Sequence, residues 1–128
     1  RMWARSAVLP ALVVLAAAAT PASPDRAGEA DVLAVDVTAT GEGYRVAATV
    51  RHADEGWEHY ADRFEVITPD GEILAVRTLH HPHVDEQPFT RALSGVIVPA
   101  GLERVVVRAR DSVHGYGGET VEVALPPR

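Results

Sequence analysis

Val32-Leu33-Ala34-Val35-Asp36-Val37-Thr38-Ala39-Thr40-Gly41-Glu42-Gly43-Tyr44-Arg45-Val46-Ala47-Ala48-Thr49-Val50-Arg51 decides the fold class. Two runs rich in β-branched residues flank a Gly-Glu-Gly turn, and apolar residues alternate with polar ones on both sides. In the first run the alternation centres on Leu33, Val35 and Val37. In the second, Tyr44, Val46, Ala48 and Val50 share one face. The pattern continues through Arg63–Thr68, a Pro69-Asp70-Gly71 turn, Ile73–Leu79, Phe89–Val98, a Pro99-Ala100-Gly101 turn, Arg104–Arg110 and Thr120–Leu125. Nothing beyond residue 22 has helical periodicity. These runs predict an all-β domain over residues 32–126, a seven-stranded antiparallel sandwich of immunoglobulin or fibronectin type III kind, with a small barrel as the alternative. Trp57 falls in a loop and there is no cysteine pair, which argues against an antibody-type domain.

Ahead of the domain, residues 1–22 read as a secretory signal peptide. Arg1 and Arg5 give a basic start, Ala7 to Ala19 an apolar run, and Ala17-Ala18-Ala19 or Thr20-Pro21-Ala22 a small-residue cleavage site. The apolar run is short for a membrane span, so an uncleaved anchor is the alternative and the one route to a membrane. Arg1 ahead of Met2 suggests a mis-set start or a fragment. Residues 23–31 read as a flexible leader. The expected location is periplasmic or secreted, and the absence of cysteine speaks against a lipid-modified N-terminus. It also removes disulfides and thiolate-ligated metal sites. Without Arg1 and Arg5, 10 of the 12 basic residues remain against 18 acidic ones, a balance of −8. That disfavours nucleic acid and anionic membrane surfaces, both of which demand a basic face.

If successive strands alternate in direction, the connections fall at two ends. Gly41–Gly43, Pro69–Glu72 and Pro99–Leu102 are short turns at one end. His52–Asp62, His80–Pro88 and Asp111–Glu119 lie at the other, and they hold all six histidines: His52, His59, His80, His81, His83 and His114. Trp57, Tyr60 and Tyr116 are there as well. Loops presented by a rigid scaffold are where binding commonly resides.

Within these loops, Pro82 biases His81 toward extended backbone. His81 and His83, two apart, then point to one side and can chelate a transition metal. His59 in Trp57-Glu58-His59-Tyr60-Ala61-Asp62 and His114 among Gly115, Gly117 and Gly118 complete the expected set of His81, His83, His114 and His59. His52, His80, Glu58, Asp62, Asp85, Glu86 and Asp111 are the expected supporting or alternative ligands, and Asp54 and Glu55 add negative potential. Trp57 and Tyr60 are expected to pack over the open end of the core, with Phe89, Arg91 and Tyr116 ordering the loops. Arg91 and Arg63 are expected to pair with loop acids. Imidazoles with a carboxylate and no thiolate suit copper(II), zinc(II) or iron(II). No metalloprotease helix motif, nucleophile elbow, P-loop or dinucleotide fingerprint occurs, so no catalytic residue is assigned.

The runs Gly56-Trp57-Glu58-His59-Tyr60-Ala61-Asp62, His81-Pro82-His83-Val84-Asp85-Glu86-Gln87-Pro88-Phe89-Thr90-Arg91 and Asp111-Ser112-Val113-His114-Gly115-Tyr116-Gly117-Gly118 resemble a signature of small exported bacterial proteins of unknown function. Glu58-His59-Tyr60 and Val113-His114-Gly115 also resemble the iron-ligand regions of superoxide reductases, which share an immunoglobulin-like fold. That resemblance implies His59 and His114 as ligands and an iron site. Asp111 stands where that family's axial cysteine would fall. The sequence therefore predicts an exported sandwich that binds copper or zinc, with iron a further choice, for sequestration or delivery. The alternative is a protein- or ligand-binding module of the cell envelope that uses the same loops with structural histidines, and a third reading is a mononuclear iron enzyme of superoxide reductase-like kind.

Overall fold

The computed structural model describes residues 28–128, and all regular structure among them is strand. The expected signal peptide, and residues 23–27 of the expected leader, lie outside the described residues. The strands are β1 (Asp31–Thr40), β2 (Gly43–Arg51), β3 (Ala61–Ile67), β4 (Ile73–Thr78), β5 (Phe89–Val96), β6 (Arg104–Asp111) and β7 (Val121–Ala124). They form a sandwich of two antiparallel sheets, ordered β1-β2-β5 and β4-β3-β6-β7. In constant-type immunoglobulin domains the fourth strand joins the sheet of the first two. Here β4 pairs with β3 instead.

Alternation accounts for the core. Val46, Ala48 and Val50 of β2 face Phe64 and Val66 of β3 and Val105, Val107 and Ala109 of β6, with Val32 and Phe89 closing the space. Phe64 and Phe89 are the largest apolar side chains fully enclosed. One expectation is corrected in β1. A β-bulge between Val32 and Ala34 buries Val32 and turns Leu33 outward to 40 % exposure, while Val35, Val37 and Ala39 still pack on the core. The extra residue shifts the facing of everything before it. The ordered domain also starts earlier than residue 32, because Ala30 is 1 % exposed and Asp31 begins the ladder. Gly118 makes this close docking possible, since a Cβ there would lie 2.0 Å from the Ala30 carbonyl oxygen.

Strand direction sends the β2–β3, β4–β5 and β6–β7 loops to one end, and side chains join them. The His52 amide donates to Gln87 Oε1 at 2.9 Å, the His83 amide to Asp54 Oδ2 at 2.6 Å, and the Ser112 amide to the Tyr60 carbonyl at 2.9 Å.

Candidate metal centre

Two strand ends build the centre. The inward positions of β2 are Val46, Ala48 and Val50, and His52 is the next residue in that parity. The inward positions of β6 are Val105, Val107 and Ala109, and Asp111 follows them. Both therefore point into the sandwich at its loop end, and both side chains are fully enclosed. A buried imidazole and a buried carboxylate are costly unless each finds partners.

The partners they find converge on one point. His52 Nε2 and His59 Nε2 each lie 3.0 Å from Asp111 Oδ2, and His114 Nδ1 lies 2.8 Å from the same oxygen. The Gly28 carbonyl oxygen is 2.7 Å from His52 Nε2 and 3.2 Å from His59 Nε2. The opposite ring nitrogens are held by acids: His52 Nδ1 by Asp54 Oδ1 at 2.6 Å, and His59 Nδ1 by Glu55 Oε1 at 2.9 Å. A carboxylate on one nitrogen fixes a histidine's tautomer and aims the other nitrogen's lone pair at a metal. Here that arrangement occurs twice, aimed at one oxygen.

Proton accounting favours a cation. A neutral imidazole has one N–H, yet both nitrogens of His52 and of His59 face acceptors only. With the Nδ1 hydrogens on Asp54 and Glu55, the two Nε2 atoms point bare lone pairs at Asp111 and Gly28. A second proton on each ring, or a metal ion between them, turns that repulsion into attraction. His52, His59 and Asp111 could hold such an ion, their ligand atoms lying within 4.8 Å of one another. Bonds of about 2.1 Å would place adjacent ligand atoms about 3.0 to 3.4 Å apart.

The electrostatics favour positive charge at this point. Burial opposes ionisation of Asp111, but the His114 backbone N–H, the His114 ring, the Val113 N–H and the His59 ring outweigh it. Together they hold this carboxyl well below the usual carboxylate range. Glu55 raises the pKa of His59 against the opposing effect of burial, and Asp111 adds to the rise.

The expected ligand set divides. His59 and His114 stand at the cluster, with His114 at its more open rim. His81 and His83 do not join the group. Their rings lie 4.6 Å apart, and His83 stacks on Phe89 with centroids 4.0 Å apart and planes 9° from parallel. Among the described residues both ring nitrogens of His83 are buried without a hydrogen-bond partner, and burial lowers its pKa, helped by the nearby Arg91. His81 Nδ1 faces the Pro82 carbonyl.

Of the supporting set, His52 and Asp111 are central. Asp62 is taken by Arg110, Glu86 pairs with Arg91 at 3.2 Å, and His80, Glu58 and Asp85 are exposed. The segment ahead of β3 is a tight turn closed by the His59 amide on the Gly56 carbonyl, with Asp62 already in β3.

Two aromatic expectations are corrected. Trp57 does not plug the core but stands 67 % exposed, edge-on to Tyr60. Tyr116 lies on the outer face of the second sheet, where its hydroxyl donates to buried Glu65 at 2.6 Å and Arg108 stacks 4.1 Å above its ring. Arg63 joins that cluster through Glu65, not through a loop acid.

Gly28 is the residue sequence reasoning missed, while Asp54, expected among the acids that add negative potential and support the ligating rings, takes a larger part than that. The Asp54 side chain is fully enclosed and ties three segments together, accepting from His52 Nδ1, the Ala61 amide at 3.0 Å and the His83 amide. Its even parity with His52 was the available signal. No signal pointed to a backbone carbonyl.

No family model and no solved structure matches the chain. A protein of Halomicrobium mukohataei named "Putative lipoprotein" is 42 % identical over 92 residues, which is 70 % of this chain and 45 % of that protein. The chain thus spans less than half the length of that relative.

Proposed function

We propose that this chain is an exported cell-envelope protein whose sandwich holds a divalent transition metal, copper(II) or zinc(II), for sequestration or delivery. His52, His59 and Asp111 are the ligands, and His114 approaches from the rim. The observation that carries the reading is the double carboxylate–imidazole arrangement, in which Asp54 and Glu55 aim two Nε2 atoms at Asp111 Oδ2. The similarity to a protein named as a lipoprotein supports an envelope location. Calorimetric titration of dialysed protein with Zn(II) and Cu(II) tests the metal. A dissociation constant at or below about 1 μM, near 8 kcal/mol, is expected. His59→Ala or Asp111→Asn should weaken it at least tenfold. Binding weaker than about 10 μM and indifferent to both substitutions would end the reading.

A second reading, docking of an envelope protein, is favoured by the apolar side chains exposed on the same three loops. Trp57 is 67 % exposed, Val113 58 % and Val84 54 %. Capture of one defined partner in the presence of chelator, abolished by Trp57→Ala, would support it over the metal.

A further inference from the structure

Gly28 adopts φ 96°, in the left-handed region, and a Cβ on it would meet His114 Cε1 at 3.1 Å. An L side chain is disfavoured there on both counts. This conformation aims the Gly28 carbonyl between the two imidazoles. His52 Nε2, Gly28 O, His59 Nε2 and Asp111 Oδ2 then form a closed quadrilateral with sides of 2.7, 3.2, 3.0 and 3.0 Å. Four ligand atoms about 2.1 Å from a central ion have sides of about 3.0 Å when planar and about 3.4 Å when tetrahedral. The observed sides are close to that range.

We propose that the Gly28 carbonyl is the fourth ligand, so that metal binding pins the segment ahead of β1 onto the three loops. The inference rests on the metal reading above and adds two things to it. The donor set becomes two imidazoles, one carboxylate and one carbonyl, which suits zinc(II), copper(II) or iron(II) and disfavours copper(I). The site also becomes a clasp. His52 Nε2 and His59 Nε2 both face the Gly28 oxygen, and a metal ion among the three would make that contact one of coordination. Downstream, the segment is already tied by the Val32 amide on the Glu119 carbonyl at 2.8 Å and the Glu119 amide on Asp31 Oδ1 at 2.7 Å. The metal closes its free side.

Zn(II) affinity and hydrogen–deuterium exchange on the full chain test the clasp. In the wild type, Zn(II) should slow exchange of the amides from Glu29 to Leu33. Gly28→Ala should weaken Zn(II) binding by about 10- to 100-fold, the range seen when a ligand's supporting contacts are lost. Gly41→Ala, in an open turn where a Cβ meets nothing within 4 Å, should leave the affinity unchanged. Tight Zn(II) binding that falls in His59→Ala, is untouched by Gly28→Ala and gives no protection at Glu29 to Leu33 would overturn the clasp and leave the metal site standing. Failure of the wild type to bind Zn(II) or Cu(II) would overturn both. If Gly28→Ala does not fold, the exchange measurement on the wild type decides alone.

Discussion

Asp54 illustrates how much one buried carboxylate can organise. Its two oxygens accept from a ring nitrogen and two backbone amides belonging to three different segments. Asp54→Ala would strand those donors without water, and breaking a buried pair from one side costs about 3–5 kcal/mol. Urea unfolding should show a loss of stability of that size, together with weakened metal binding as His52 loses its orientation. His83 presents the opposite case. Its ring stacks on Phe89, but both nitrogens are buried and unpartnered, and each such group costs about 1–3 kcal/mol. His83→Phe keeps the stack and removes the stranded atoms, so a gain of about 1 kcal/mol is expected after some overpacking. The sign of the pH effect follows from its lowered pKa. Above about 6.5 both folded and unfolded rings are neutral. As pH falls through that value the unfolded ring takes a proton that the folded ring refuses, and stability is lost. The gain from His83→Phe should therefore be larger at pH 5.5 than at pH 8. A loss at both pH values would show that the nitrogens have partners after all.

Among the elements, all seven strands were legible because each carries its own alternation and is bounded by Gly, Pro or Asp turns. The strand count then placed the three histidine-bearing loops at one end, as observed. Two things escaped. The β1 bulge depends on the register against β2, which the strand's own pattern does not encode, so Leu33 was expected inside and lies outside. The centre drew on strand ends as well as loops. His52 and Asp111 continue the inward parity of β2 and β6, but a polar residue at a strand end reads as the start of a loop unless parity is carried one step past the last valine. The Gly-rich β6–β7 loop does more than aim His114 at Asp111, since Gly118 also lets the Ala30 backbone pass. Gly118→Ala would drive a Cβ into backbone that cannot retreat, and overpacking of this kind costs about 1–3 kcal/mol. A melting temperature lower by several degrees is expected, against almost none for Gly41→Ala.

At the scale of the whole molecule, a disulfide-free sandwich of this size has modest stability, and its loop end concentrates acidic groups around two imidazoles. Asp54, Glu55 and Asp111 surround His52 and His59 there, in a chain whose formal net charge is −6. A ligand that binds only the folded state stabilises it by RT ln(1 + [L]/Kd), about 2.7 kcal/mol at a hundredfold excess over Kd. For a domain of roughly 100 residues each kcal/mol moves the melting temperature by about 4–8 °C. Zn(II) at that excess should therefore raise it by about 10–20 °C, and EDTA should reverse the rise. Because imidazoles must be unprotonated to coordinate, the increment should shrink as pH falls. Asp111→Asn should cut the increment by about half or more while leaving the metal-free fold measurable, because Asn retains an acceptor oxygen for the Val113 and His114 amides that Asp111 Oδ1 now caps at 2.6 and 2.7 Å. Differential scanning calorimetry of the wild type and Asp111→Asn, with and without Zn(II), at pH 7.5 and pH 5.5, would show this. An equal rise in the variant would place the ion at surface histidines and remove the centre from the account of this fold's stability.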